Sequence, residues 1–355
     1  MKRFMLAALL ASGLGLATST AQPGSGREDI PSDPIAPVSW HGWSNVIVLA
    51  NRQVEVTILP AAGRIAGLRY GGLDNVLRFD TNLAVWAATH PATDDNWRNF
   101  GGDWLWPVCQ AHWTARFGRH WPPQTFIDGQ PWQARAWSSD DGSQTCLLRM
   151  DVGAPLFVTI TRRIRLDPEQ ALLTIRQRIE RAADSDVPMA LWNISQIAAA
   201  RRVVFPVDTD AAFPDGFRIL DFGPPPAAII DRCPGDVIAL DVLAGTEHKL
   251  GSGSPRGWVA AQREGVLIVE QAESRTPGGA YPDGGCRIEV YANSGLGYTE
   301  IETLSEERVL AAGESLENTL TVSLHRAAPD LSACDLVARL RELIGETPPA
   351  RPPSP

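Results

Sequence analysis

Most of the short motifs that announce a reaction are missing from this 355-residue chain. It holds no GxSxG elbow, no P-loop and no HExxH, and the Gly-rich GSGSPRG has neither Walker nor Rossmann spacing. Cysteine is scarce as well. The five residues Cys109, Cys146, Cys233, Cys286 and Cys334 form no CxxC, and Cys109 with His112 is only half of a zinc pattern, so neither a metal nor another cofactor is expected. Because the number is odd, at least one thiol stays unpaired within the chain. One or two disulfides would suit an oxidising compartment, but spacing does not assign them.

Positive charge is in deficit too. Lys plus Arg number 32 against 41 Asp plus Glu, a formal charge of −9 that becomes −11 if Lys2 and Arg3 are removed. Phosphate contacts require cationic side chains in number, so nucleic acid is not an expected partner. Residues 1–21 read as a secretory signal: a basic tip, an apolar run from Phe4 to Leu16, and small residues Ser19 and Ala21 before a cut at Gln22. The run is shorter than the roughly 20 apolar residues a membrane span needs. No later run approaches that length, so the processed protein is expected to be periplasmic or secreted and free of the membrane. A flexible linker is expected over 22–38, rich in Pro, Gly and charge, and a disordered tail over 347–355, TPPARPPSP.

Helical periodicity is nearly absent from what remains, and no internal repeat divides it. Short alternating segments separated by turn residues dominate. VIVLA (46–50) and VEVTIL (54–59) make a hairpin in which Val54, Val56 and Ile58 share one face. GRIAGLRY, NVLRF, LFVTITRRIRL, ALLTIRQRIE, VPMALWNISQI, PAAIID, GWVAAQ, VLIVEQAE, CRIEVYAN, YTEIETLS and ENTLTVSLH continue the series. So many strands over 39–328 predict an all-β fold, one large sandwich. A single short helix is expected within 329–346, with Val337, Leu340 and Ile344 on one stripe and Asp330 or Ser332 as its cap. Arg163, Arg165, Arg176 and Arg178 fall on one sheet face. A solvated outer face that discourages edge pairing is the simpler expectation for them than an anionic ligand.

Aromatic side chains are concentrated instead. Eight of the twelve tryptophans lie between Trp86 and Trp137, and NFGGDWLWPVCQAHWTARFGRHW (99–121) holds four of them with His112 and His120. Indole has a broad apolar face and one donor at its edge, which suits a core or the face of a sugar ring. The interleaved Asn99, Asp103, Gln110 and His112, and the weak strand alternation, predict loops laid over a sheet. Gly101 and Gly102 serve either close backbone approach or a turn. In YTEIETLS a strand would place Glu300 and Glu302 on one face, where adjacent carboxyls raise at least one pKa and suit proton transfer. In ALWNISQI, Trp192, Ile194 and Gln196 alternate with Asn193 and Ser195, polar groups that need partners.

These segments resemble galactose-mutarotase-like (aldose 1-epimerase-like) proteins. NRQVEVTILPAAGRIAGLRYGGLDNVL is similar to the family's opening, with its Pro-x-x-Gly-Arg turn, and YTEIETLSEERVLAAGESLENTLTVSL to its closing segment. NFGGDWLWPVCQ and ALWNISQI look most like an uncharacterised branch of that superfamily. The resemblance covers roughly residues 41 to 326 and implies a β-supersandwich with a sugar lying on one open sheet face. In mutarotases a glutamate takes the anomeric proton while a histidine protonates the ring oxygen. Glu302 matches the base and Arg64 an arginine that contacts the sugar, but the strand that should bring the histidine reads LWNISQI. The acid would then be Glu300, or His112, His120 or Asp103 reaching in from the central segment. Arg64, Asp103, Trp104, Trp106, Trp192, Asn193 and Gln196 are the expected sugar contacts. Three functions stay open: an epimerase acting on a mono- or oligosaccharide, a non-catalytic saccharide-binding protein, and a structural envelope protein whose tryptophans are all core.

Overall fold

Strand alternation decides the layers. The computed structural model describes residues 33–242, 247–273 and 279–346, so the expected leader 1–21, the linker up to residue 32 and the tail 347–355 lie outside the described residues. In the rest of the linker, Asp33 and Pro34 pair with Ser138 and Trp137.

Two antiparallel sheets carry the described body. The 11-stranded sheet runs Asp33–Pro34, Gln133–Ser138, Gln144–Val152, Val158–Leu166, Leu172–Arg181, Ser315–Arg326, Val266–Ala272, Trp258–Arg263, Arg202–Pro206, Val237–Asp241, Ile230–Cys233. The 10-stranded sheet runs Arg218–Asp221, His248–Ser252, Ile288–Asn293, Tyr298–Leu304, Trp192–Ala198, Asp103–Trp106, Arg64–Tyr70, Val54–Leu59, Trp43–Ala50, Val38–Trp40. This is the sandwich expected from the sequence. In the first sheet, Ile160 faces Ile179 and Ile164 faces Ile175, all buried, while Arg176 and Arg178 on the other face are exposed. Those outward arginines are occupied locally: Arg165 pairs with Asp141, and Arg178 with Glu180 and Glu317.

The second sheet is different at its centre. Trp192–Ala198 and Asp103–Trp106 are buried on both faces, the pattern of strands covered by a layer on each side. That corrects one expectation: residues 103–106 are not a loop laid over the sheet but one of its middle strands. Their alternation is weak because both faces avoid water. NVLRF also departs from expectation, making isolated bridges such as Leu77 to Ile197 in place of a strand. Thr81–Ala87 and Trp113–Phe117 are helices too short for a 3.6-residue period to register.

The C-terminal helix is Ala333–Ile344, opened by Ser332, whose hydroxyl accepts the Asp335 N–H, and closed by Gly345 at φ 68°. Leu336, Val337 and Leu340 pack with Val237, Ala239, Trp258 and Leu267. A Cys233–Cys334 disulfide ties this helix to strand Ile230–Cys233, and Cys109, Cys146 and Cys286 are buried thiols.

Candidate functional site

The cross-strand register separates two groups of residues that the sequence listed together. Trp192 lies opposite Trp106 and Leu304, Ile194 opposite Trp104 and Glu302, and Gln196 opposite Glu300. Glu302 and Glu300 in turn face Glu289 and Tyr291, and Tyr291 faces Lys249. Paired residues share a face, so three tryptophans, three carboxyls and a lysine occupy the side of the sheet away from the sandwich interior.

Asp103, Asn193 and Ser195 take the opposite side. Arg162, reaching from the other sheet, is 2.5 Å from Asp103 and 3.0 Å from Asn193; Asn193 and Ser195 donate to Asp103 at 2.8 and 2.9 Å, and Gln177 donates to Asn193 at 2.7 Å. Glu270 lies beside this network with both carboxyl oxygens buried and without a hydrogen-bond partner, its carboxyl pushed up to about 8 by burial and by the Asp103 charge. The structure therefore does not bring Asp103 and Asn193 to the face that carries Glu302. One-residue parity explains it: a strand that turns Trp104 and Trp192 outward must turn Asp103 and Asn193 inward.

On the outer face Glu302 is fully buried. The Trp192 indole donates to its Oε2 at 2.6 Å, and Lys249 Nζ lies 3.2 Å from the same oxygen. Lys249 is also 2.8 Å from Glu289 Oε2, an ion pair without hydrogen-bond alignment, and 4.7 Å from the Trp192 ring centre. Burial opposes its charge, but Glu289 and Glu302 outweigh that and hold the ammonium above its ordinary range. Burial pushes the Glu289 carboxyl well up, Lys249 opposing and Glu302 adding to the rise. Burial and the neighbouring Glu302 raise Glu300 to about 7, against the pull of a 2.7 Å hydrogen bond from Gln196. Gln196 accepts from Arg78 at 3.1 Å, and Arg78 stands over the Tyr298 ring.

Arg64 stands at the other flank, stacked 4.3 Å from Trp104 and 4.9 Å from Phe100. It is 2.5 Å from Asp128 and donates to Gly101 O at 3.1 Å. Burial lowers its pKa and Asp128 counters. His112 is engaged with Glu307, Nε2 to Oε2 2.8 Å. Gly101 and Gly102, at φ 88° and 97°, resolve in favour of close approach: a Cβ on Gly102 would lie 2.5 Å from the Ile65 carbonyl oxygen, and one on Gly101 would collide with that of Arg78.

Trp106 connects the rings, 5.9 Å from Trp104, 5.3 Å from Trp192, 5.0 Å from Trp113 and 6.3 Å from Trp121. Glu302 Oε1 and the Nε1 atoms of Trp104 and Trp106 are buried without a hydrogen-bond partner. Such groups cost free energy unless satisfied, about 1–3 kcal/mol each. Lys249 and Glu289 are the members that sequence reasoning missed. Lysine occurs only at positions 2 and 249, and that scarcity was the available signal.

The fold is that of galactose-mutarotase-like sandwiches. The chain is similar to the Slr1438 protein of Synechocystis sp. PCC 6803 (12% identity, TM-score 0.55, covering 84% of this chain and 99% of that one). It is also similar to a putative aldose 1-epimerase of Escherichia coli K12 (12%, 0.52, 80% and 99%). A putative mutarotase of Salmonella typhimurium matches as well (10%, 0.52, 83% and 97%). No family model and no curated protein matches the chain by sequence.

Proposed function

We propose that the chain is an exported carbohydrate-active protein that takes a sugar at the partly exposed Glu300 and Lys249, at the edge of the buried Trp104, Trp106 and Trp192 cluster, and interconverts its anomers. The carrying observation is that the buried, unpartnered Glu302 Oε1 shares this face with Glu300, whose pKa is raised to about 7. One residue can accept a proton while the other, two positions along the strand, donates one near neutrality. Glu302 would take the anomeric hydroxyl proton as Glu300 protonates the ring oxygen. The C1 to ring-oxygen bond breaks, the open aldehyde turns, and the reverse transfers close the ring. The similar solved structures include a putative aldose 1-epimerase and a putative mutarotase, which supports a sugar ligand.

Polarimetry on fresh α-aldopyranoses tests the chemistry. Mutarotation above the buffer rate, lost in Glu302→Gln, is expected; a rate equal to buffer for every aldose rejects it. A non-catalytic saccharide-binding protein is the second reading, favoured by the engagement of Glu302 Oε2 with both Trp192 and Lys249. Saccharide binding that persists in Glu302→Gln without any mutarotation would select it. The Cys233–Cys334 disulfide suits the oxidising compartment that export implies. Amino-terminal sequencing of the protein from periplasm or medium should begin near Gln22; an intact Met1 would reject processing.

A further inference from the structure

Resting on the reading of Glu300 as proton donor, we infer that Arg78 and Gln196 are positioning residues: Arg78 turns the Gln196 amide so that its NH2 group faces Glu300 and stabilises the carboxylate that remains when the proton leaves. Gln196 is fully buried, so it reaches no sugar itself. Its Nε2 donates to Glu300 Oε1 at 2.7 Å, and its Oε1 accepts from Arg78 Nη1 at 3.1 Å. A guanidinium has donors only, which makes the amide offer it oxygen and leaves nitrogen for the carboxyl. The reverse orientation would accept from a protonated Glu300 and hold the proton there.

The backbone keeps these groups in register. Arg78 N–H donates to the Gln196 carbonyl at 2.7 Å, Gly102 N–H to the Arg78 carbonyl at 2.8 Å, and Gln196 N–H to the Gly102 carbonyl at 3.0 Å, a closed ring of three residues. Arg78 Nη1 also donates to the Asn99 carbonyl at 2.7 Å, and the guanidinium stands over the Tyr298 ring at 5.2 Å. The other titratable groups around Glu300 are Glu302 and Tyr298 of its own strand and Glu289, Tyr291 and Lys249 of the two strands beyond, with Glu247 bonded to Tyr291. Burial and Glu302 push the Glu300 carboxyl up, whereas the Gln196 hydrogen bond, Lys249 and Arg78 pull it down, with the balance at about 7. Because Oε1 is engaged by Gln196, the transferable proton belongs on Oε2. It passes to the ring oxygen as the C1 bond breaks and returns when the ring closes.

The test is a carboxyl 13C NMR titration of the full chain labelled at glutamate Cδ, with Glu300 assigned as the signal that Glu300→Gln removes. The wild-type midpoint should lie near 7, and the Gln196 side-chain amide protons should follow the same midpoint. Arg78→Met and Gln196→Met should each raise it by about one pH unit, a tenfold tighter hold on the proton and the scale of a hydrogen bond to a charged group. In the Gln196→Met background, Arg78→Met should add much less than it does alone, because its effect passes through the amide. Arg78→Lys, which keeps a charged donor, should restore part of the wild-type value, and the basic limb of kcat/KM for anomer interconversion should move up with the midpoint. Additive shifts in the double variant reduce Arg78 to a direct charge and overturn the inference. So does an amide signal that ignores the Glu300 midpoint, a measurement on the wild-type chain that needs no variant to fold. The titrations require no sugar, so polarimetry that rejects the epimerase reading leaves them to decide the positioning role separately.

Discussion

Replacing Glu270 by Gln should change how the stability of the fold responds to pH. Glu270 is fully buried between the sheets, beside Asp103, Ser195, Asn193 and Arg162, with its carboxyl raised from 4.5 to about 8. Over the window from 4.5 to about 8 the folded chain therefore keeps a proton that the unfolded chain has released. The unfolded state binds fewer protons, so stability falls as pH rises, fully present below 4.5 and lost through the folded value. The slope is about 1.4 kcal/mol per pH unit, which makes roughly 3 kcal/mol between pH 5.5 and 7.5. Gln has the shape of the neutral acid and releases no proton, so Glu270→Gln should lack this component. Urea titrations of both proteins at the two pH values measure it. With m near the upper end of 1–3 kcal/mol/M, the wild-type midpoint should fall about 1 M further than the variant's. Glu289 and Glu300 titrate in the same direction, but they are common to both proteins and cancel. Parallel pH curves for the two proteins would refute the reasoning.

Other perturbations follow from the same geometry. Lys249→Met leaves Glu289 and Glu302 facing each other under cover and should cost about 3–5 kcal/mol in chemical denaturation; adding Glu289→Gln should recover part of that loss. Cys334→Ser opens a cross-link across a separation of 101 residues and should cost about 2–5 kcal/mol, seen as a lowered thermal midpoint. Gly102→Ala forces a left-handed backbone and a carbonyl clash against Ile65, and should cost at least about 2 kcal/mol by denaturant titration; a neutral result would mean that the two strands can separate.

Local pattern carried much of this molecule. The hairpin Trp43–Ala50 with Val54–Leu59, the paired strands Val158–Leu166 and Leu172–Arg181, and the helix after Ser332 were each legible because period and caps are written locally. Glu300 and Glu302 could be placed side by side for the same reason. Lys249 and Glu289 could not, because their meeting with Glu302 depends on the order of His248–Ser252, Ile288–Asn293 and Tyr298–Leu304 across the sheet. The positions of Asp103 and Asn193 were within reach: each is next to a tryptophan assigned to the same cleft, and neighbours on a strand cannot both face it. The central strand Asp103–Trp106 was hidden by its double burial, which erases alternation.

The scarcity of lysine has a practical use. An amine-directed label applied to the native chain has, apart from the α-amino group and Lys2, Lys249 as its target, and that side chain is 17% exposed and held between two carboxyls. The speed at which such a reagent is taken up therefore clocks how often the floor of the tryptophan cluster becomes accessible, with no need to know what normally enters it.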